Sequence, residues 1–205
     1  MNRRAMTHHF RLLPVLLASL ALAACGSQDA GQPAADRPPL EGAAIGGPFS
    51  LVDKDGKTVS WDVFKGKYRI VYFGYTFCPD ACPMDMQALM KGFAQFEQSD
   101  PQLAAKVQPI FITIDPERDT PEAVGQWTSA FSPRLVGLTG TPEQIAAVEK
   151  AFAAYSAKGE ETSGGYLMDH SRIAYLMGPE GEPLAMLPVD KGGDAVAAEL
   201  GKWVK

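Results

Sequence analysis

The sequence has few residues that bind soft metals or carry out thiol chemistry, with three cysteines and three histidines among 205 residues. It also lacks an excess of positive charge, because 19 basic and 24 acidic residues give a net charge of −5, and this argues against a nucleic-acid partner. It has no internal repeat and no heptad pattern, so neither a repeat array nor a coiled coil is indicated. The remaining composition, 46% hydrophobic, is that of a globular domain with a core.

A long membrane-spanning run is also missing, since the apolar stretch "LLPVLLASLALAA" near the N-terminus is too short and too rich in alanine for an ordinary membrane helix. It follows Arg3, Arg4 and Arg11 with no acidic residue between, so residues 1–24 are predicted to be a secretory signal peptide. The run ends in "LAAC", which resembles the lipobox of bacterial lipoproteins. Cys25 is therefore predicted to be acylated after cleavage; the alternative is an ordinary signal peptide that leaves Cys25 free.

Removal of the signal peptide would shorten the list of candidate site residues. It would take away two of the three histidines and leave 16 basic against 24 acidic residues, a net charge of −8. With Cys25 acylated, Cys78, Cys82 and His170 would be the cysteines and histidine still available. Residues 25–42 are rich in Gly, Pro, Ala and polar side chains, which predicts a flexible tether ahead of a folded domain over residues 43–205.

The folded part alternates between strand and helix patterns. A β-hairpin around Asp55-Gly56 is followed by three strand–helix units, a late hairpin around "GPEG" and a closing helix, which predicts a layered α/β domain with a mainly parallel sheet. The run "YRIVYFGYTF" reads as its buried central strand. Cys78 and Asp115 follow two such strands, and sites form at the carboxyl ends of strands in these sheets. The helix after "CPDACP" has a predicted core face of Met86, Leu89, Met90, Phe93 and Phe96.

Cys78 and Cys82 are the strongest candidates for chemistry. Four positions apart at a helix start, their sulfurs are expected on one side, close enough to form a disulfide or to share a metal ion. Cys82 is placed at the helix N-terminus, where the dipole favours its thiolate. Three alternatives to a metal site remain: a structural disulfide, a thiol–disulfide oxidoreductase, whose usual spacing is one residue shorter, and a peroxidase that uses Cys78.

His170 is the candidate third metal ligand, although a lone histidine is in general more often a surface or core residue. Two thiolates and one imidazole suit copper, since thiolates select Cu(I) and imidazole also accommodates Cu(II). Zinc could use the same residues, but a structural zinc site has four ligands. Asp169 is expected either to orient the His170 ring or to be an exposed loop acid. Met84 is predicted to lie off the helix core face, either as an exposed side chain or in a weak sulfur contact to copper or to a partner.

The motifs "CPDACP", "TIDPERDTP" and the late "DHS", in this order, resemble the SCO/SenC family of copper-binding proteins over residues 43–205. The resemblance implies a thioredoxin-like fold and copper bound by Cys78, Cys82 and His170. It also implies a role in supplying copper to the binuclear centre of cytochrome c oxidase. Membrane attachment is a family trait, and here it would come from an acyl chain on Cys25.

The sequence therefore predicts a copper metallochaperone, not an enzyme, on the periplasmic face of a bacterial membrane, with the inner membrane favoured. Its expected partners are the copper-bearing subunit of the oxidase or another copper chaperone. A reversible Cys78–Cys82 disulfide would empty the site. The rival function is a thiol–disulfide oxidoreductase that reduces the cysteines of the oxidase copper site. Asp115, Arg118 and Asp119 are expected to form local loop contacts, to tune the site or to dock a partner.

Overall fold

A five-stranded mixed sheet lies at the centre of the fold, in the order β5-β4-β3-β8-β9. In chain order the strands are β1 (Ser50–Val52), β2 (Thr58–Ser60), β3 (Tyr68–Gly74), β4 (Val107–Thr113), β5 (Val136–Leu138), β6 (Ser156–Thr162), β7 (Gly165–His170), β8 (Ala174–Met177) and β9 (Pro183–Met186). The helices are α1 (Ala81–Ser99), α2 (Pro101–Ala104), α3 (Pro121–Ser129), α4 (Pro142–Ala151) and α5 (Gly193–Trp203), with short 3₁₀ helices over Trp61–Phe64 and Val189–Lys191.

The computed structural model describes residues 37–162 and 165–205. The predicted signal peptide (1–24), Cys25 and most of the predicted tether lie outside these residues. The folded unit begins at Pro38, earlier than the predicted start at residue 43, because Leu40 packs against the core and its N–H donates to the carbonyl of Leu184. Within the described ranges, no helix combines the length and apolar character needed to cross a membrane.

The predicted thioredoxin-like α/β fold is confirmed, but its sheet is mixed where a mainly parallel one was expected. β3 and β5 pair with β4 in parallel, whereas β8 pairs antiparallel with both β3 and β9. The late hairpin therefore completes the sheet from the side of β3. Every residue of β3 is buried, as predicted for a central strand.

Local sequence signals account for the elements that the patterns predicted correctly. The core face of α1 is buried as expected, at Met86, Leu89, Met90, Phe93 and Phe96. Thr141 and Gln144 form a capping box at the start of α4, where Pro142 occupies the first turn. In the β1–β2 hairpin, Gly56 adopts a φ of 72°, which favours glycine.

The patterns did not predict the β6–β7 hairpin, which forms a two-stranded sheet of its own. Its strand β6, "SAKGEET", is polar and carries no alternating hydrophobic signal, so tertiary contacts decide its structure. The omission matters because His170 is the last residue of β7.

Three strands bring the candidate ligands to one edge of the sheet. β3 and β4 are parallel, so their carboxyl ends, Gly74 and Thr113, lie side by side. β8 is antiparallel to β3 and begins at the same edge, where Ala174 pairs with Tyr72. The segment after β3 and the segment before β8 therefore meet there, although their cysteine and histidine residues are far apart in sequence.

Candidate metal centre

Cys78, Cys82 and His170 converge at this edge. One potential ligand atom from each of the three residues lies within 4.8 Å of the others. The Sγ atom of Cys82 lies 3.3 Å from Nε2 of His170. Both cysteines are free thiols, and Cys82 is buried whereas Cys78 is half-buried. The structure thus brings together the three residues that the sequence predicted as ligands, with Cys78 on the more open side.

The turn between β3 and α1 determines where the two sulfurs lie. The N–H of Cys78 donates to the carbonyl of Tyr75 at 3.3 Å, and α1 begins at Ala81. One turn later, the N–H of Cys82 donates to Sγ of Cys78 at 3.2 Å. The sulfur of Cys78 therefore occupies the place of a helix-capping acceptor.

The two thiols differ in acidity, and the difference is opposite to the sequence-based expectation for Cys82. Hydrogen bonds from the Cys82 thiol, from His170 and from the backbone N–H groups at the start of α1 lower the pKa of Cys78 to about 3. The pKa of Cys82 is raised, first by its hydrogen bond to Cys78 and then by burial. The helix N-terminus thus favours a thiolate on Cys78, because it is the Cys78 sulfur that accepts the N–H group.

His170 is held with Nε2 towards the sulfurs. Its Nδ1 lies 3.0 Å from the carbonyl oxygen of Ser171, and its ring and that of Tyr75 form a T-shaped pair with a centroid distance of 5.8 Å. Asp169 was a candidate for orienting this ring, but it is exposed and precedes His170 in a strand, where successive side chains point to opposite faces. The backbone of Ser171 makes the contact that was expected of Asp169.

Asp119 anchors the loop that carries Cys78. Its buried carboxylate accepts hydrogen bonds from the backbone N–H of Thr76 at 3.0 Å, from the Thr76 hydroxyl at 2.6 Å and from the hydroxyl of Thr113. Burial raises the pKa of Asp119. Because it joins the ends of β3 and β4, Asp119 stabilises the loop and lies too deep to dock a partner.

Asp115 and Arg118 support the hairpin that carries His170. Arg118 forms a salt bridge with the buried Asp115 and donates to the carbonyl of Tyr166 at 2.8 Å, and its guanidinium lies 3.7 Å from the centroid of the Tyr166 ring. The Tyr166 hydroxyl donates to Asp115 at 2.8 Å. The expected loop contacts are present, but the burial of Asp115 is inconsistent with direct docking of a partner.

Sequence reasoning missed Asp85 and Arg172. Asp85 is buried on α1 and accepts hydrogen bonds from Arg172 and from the hydroxyl of Tyr72. A signal was available, because Asp85 is a lone acidic residue next to Met86 on an otherwise apolar helix face, and a buried acid requires a partner.

Two large apolar side chains close to the cysteines in sequence are exposed. Phe77 is 53% exposed and its ring lies 4.8 Å from the guanidinium carbon of Arg118. Met84 is 60% exposed, which agrees with the predicted alternative of an exposed side chain. Phe77 directly precedes the half-buried Cys78, and Met84 follows the buried Cys82 by two residues, so exposed apolar side chains border the cysteine motif in sequence.

Comparisons with known proteins agree with this geometry. The family model described as SCO1/SenC matches residues 37–205. The chain is 46% identical over 138 residues to the Arabidopsis thaliana protein SCO1 homolog 1, mitochondrial, which covers 67% of this chain and 40% of that protein. It is 38% identical over 157 residues to the human protein SCO1 homolog, mitochondrial, which covers 76% and 52%, respectively. The chain thus spans about half the length of these relatives.

A solved structure of Bradyrhizobium japonicum ScoI with copper bound matches with a TM-score of 0.70 and 38% identity, covering 78% of this chain and 99% of that one. A structure of Arabidopsis thaliana ScoI with copper bound gives a TM-score of 0.70 and 40% identity, covering 78% and 100%. Both neighbours are copper-bound, and this chain has a Cys–Cys–His group of the kind that copper accepts.

The comparisons contradict one sequence-based prediction. The curated relatives from Arabidopsis thaliana, Homo sapiens, Saccharomyces cerevisiae and Bos taurus are all mitochondrial proteins of eukaryotes. This finding conflicts with the placement of the chain on the periplasmic face of a bacterial membrane, and that placement is withdrawn.

Proposed function

This chain belongs to the SCO1/SenC family, and from that membership we propose that it is a copper metallochaperone for cytochrome c oxidase. It would bind copper through Cys78, Cys82 and His170 and deliver it to the copper centre of the oxidase. The observation that carries the proposal is the convergence of two thiols and one imidazole within 4.8 Å at one edge of the sheet. Its partner would be the copper-bearing subunit of the oxidase or another copper chaperone.

The donor set fits copper better than zinc. Thiolates select Cu(I), and imidazole also accommodates Cu(II), whereas a structural zinc site has four ligands and the described residues bring three together here. Two donors bound to one ion at about 2.0–2.3 Å lie no more than about 4.6 Å apart. The 3.3 Å between Cys82 Sγ and His170 Nε2 therefore needs little change on binding.

The difference between the two cysteines supports transfer of the ion by ligand exchange. Cys82 is buried, whereas Cys78 is half-buried and is favoured as a thiolate. An incoming thiolate from a partner would reach the ion from the Cys78 side. A disulfide between Cys78 and Cys82 would offer no thiolate to a metal, so copper binding would require the reduced form of the pair.

The test is a copper titration of the folded chain from residue 37, reduced and metal-free. Cu(I) is added against a competing chelator and Cu(II) is followed by absorbance, with His170→Ala and the Cys78→Ala/Cys82→Ala double variant alongside. We expect one tight equivalent with a thiolate-to-Cu(II) band that the double variant lacks and that weakens in His170→Ala. Weak binding that His170→Ala leaves unchanged would rule out the three-ligand site.

A thiol–disulfide oxidoreductase that reduces the oxidase copper site is the second candidate. It is favoured by the opposite pKa shifts of Cys78 and Cys82, since exchange needs one thiolate that attacks and a neighbour that resolves the mixed disulfide. This function does not require His170. Rates of disulfide reduction that stay unchanged in His170→Ala, together with weak copper binding, would favour it over the metallochaperone.

We also propose that residues 1–24 are removed and that Cys25 carries an acyl chain, which would attach the domain to a membrane. The motif "LAAC" and the polar, Gly- and Pro-rich segment after it support this proposal. Mass spectrometry of the protein from its native host tests it. A mature chain that starts at an acylated Cys25 is expected, and a free Cys25 thiol would disprove the acylation.

A further inference from the structure

An ion pair between a buried carboxylate and an exposed guanidinium lies beside the metal centre. Arg172 donates from Nε to Oδ2 of Asp85 at 2.9 Å and from Nη2 to the other carboxylate oxygen, a two-pronged contact typical of strong pairs. The Asp85 side chain is 2% exposed and that of Arg172 is 47% exposed. Asp85 lies three residues after Cys82 and Arg172 two residues after His170. The pair thus joins the two chain segments that carry the candidate ligands.

The hairpin that carries His170 needs such contacts to hold it in place. His170 ends β7, and β7 pairs with β6 in a sheet separate from the central one. Backbone pairing with the central sheet resumes only at Ala174 in β8. Side-chain contacts therefore set the distance between the His170 ring and Cys82.

Those contacts act from two sides of the hairpin. On one side, Arg118 donates a hydrogen bond to the carbonyl of Tyr166, and the hydroxyl of Tyr75 accepts one from the N–H of Met168 at 3.2 Å. On the side of α1, the contact is that of Arg172 with Asp85.

Asp85 itself is fixed by the core. The hydroxyl of Tyr72 donates to Oδ2 of Asp85 at 3.0 Å, and Tyr72 is fully buried in the central strand. A carboxylate that is held from behind by the core has little freedom to follow a moving partner. Its position therefore determines where the Arg172 guanidinium, and with it the backbone just after His170, can lie.

We propose that the Asp85–Arg172 ion pair places the His170 imidazole against Cys82 and so sets the geometry of the metal centre. Arg172 is a positioning residue, because it acts through the backbone that links it to His170. The consequence for copper affinity rests on the proposed function. The placement of the ring does not, since it is a property of the metal-free protein.

Arg172→Met is the variant that tests the inference. We expect the contact between the His170 and Tyr75 rings to weaken in the metal-free protein and Cu(I) affinity to fall about tenfold, the lower end for loss of a residue that supports a ligand. Arg172→Lys keeps the charge but not the two-pronged geometry, so it should recover part of the affinity. When Arg172→Met is combined with Asp85→Asn, the loss of Cu(I) affinity should not exceed that of the more severe single variant, because the two side chains act as a unit.

The matched control is Arg134→Met. Arg134 forms an ion pair with Glu97, which lies on α1 as Asp85 does. Arg134 also donates to the carbonyls of Ala104 and Val107. Glu97 lies 15 residues after Cys82, about 22 Å along the helix. This variant should lower thermal stability at least as much as Arg172→Met and leave the His170 ring and the copper affinity unchanged.

The two readouts are nuclear Overhauser contacts of the His170 ring in the reduced, metal-free protein and Cu(I) competition with a chelator. Loss of the ring contacts in Arg172→Met but not in Arg134→Met supports the inference. Unchanged ring contacts in Arg172→Met, or equal loss in Arg134→Met, overturn it. If His170→Ala itself binds copper as tightly as the natural chain, the proposed function fails, and the ring contacts still decide the placement.

Discussion

The backbone N–H of Cys82 donates a hydrogen bond to the sulfur of Cys78 across 3.2 Å. Asp80 stands at the N-cap position of α1, yet its side chain makes no capping hydrogen bond. The Cys78 sulfur takes over this role, and it is most stable there as a thiolate because the N-terminus of a helix favours negative charge. The two cysteines of one short motif thereby acquire different chemistry.

The first prediction concerns the reactivity of the two thiols. Because the pKa of Cys78 is lowered to about 3, its alkylation by iodoacetamide in the reduced, metal-free protein should change little between about pH 5 and pH 8. Cys82, whose pKa is raised and which is buried, should react far more slowly over the same range. Mass spectrometry of timed samples measures both rates. A Cys78 rate that rises about tenfold per pH unit, as for an ordinary thiol, would contradict this.

The second prediction concerns Gly74, at the end of β3. A Cβ atom there would lie 3.1 Å from Sγ of Cys82 and 2.9 Å from a ring carbon of Tyr72. Gly74→Ala should destabilise the fold by about 1–3 kcal/mol, the usual cost of overpacking, and should weaken copper binding by displacing the sulfur. Denaturant unfolding and chelator competition measure the two effects.

Gly201→Ala is the control for that substitution, because no atom lies within 4 Å of the added Cβ on helix α5. It should raise stability by about 0.5–1 kcal/mol, the helix preference of alanine over glycine, and leave copper affinity unchanged. Equal stability changes in the two variants would show that Gly74 is not needed to make room for the sulfur.

The third prediction concerns Asp119. In Asp119→Asn, one carboxylate oxygen that accepts hydrogen bonds becomes an amide donor facing Thr76 or Thr113. The loss should be about 1.5–3 kcal/mol in the free energy of unfolding, the range for hydrogen bonds to charged groups. Urea denaturation measures this change. The control is Asp194→Asn at an exposed position, whose free energy of unfolding should stay within about 0.5 kcal/mol of that of the natural chain. A change in Asp119→Asn as small as in the control would refute the anchoring role.

The fourth prediction concerns Arg118 and the β6–β7 hairpin. Arg118→Met removes the stack on Tyr166, the hydrogen bond to its carbonyl and the partner of the buried Asp115. Amide hydrogen exchange in β7 should therefore speed up, since local opening becomes easier. Lys158→Met removes the exposed pair with Glu117 and the contact of Nζ with the Tyr166 ring at 4.6 Å, but leaves Asp115 paired, so it should have a smaller effect. Similar exchange rates in the two variants would show that Arg118 does not hold the hairpin.

Periodic patterns and turn residues were enough to predict most of the fold. The buried run of β3, the apolar face of α1 and the glycine turns of the first and last hairpins are all local signals, and the structure follows them. The β6–β7 hairpin was missed because its polar sequence has no period, and its place depends on Arg118, Tyr166 and Tyr75, which are brought together by the fold. The sheet was predicted to be mainly parallel, and it is mixed, because the pattern of a strand does not reveal which neighbouring strand it pairs with.

What the sequence alone determined is the short list of soft donors and the spacing of Cys78 and Cys82, since these depend on residue type and on one turn of helix. It also carried the family motifs that the comparisons bear out. Only the tertiary structure decided which sulfur is the acidic one, that Ser171 and not Asp169 contacts the His170 ring, and that Asp85 and Arg172 join the two halves of the site. The reason is physical: acidity, burial and ring placement depend on neighbours from distant parts of the chain, and those meet only when β8 enters the sheet beside β3.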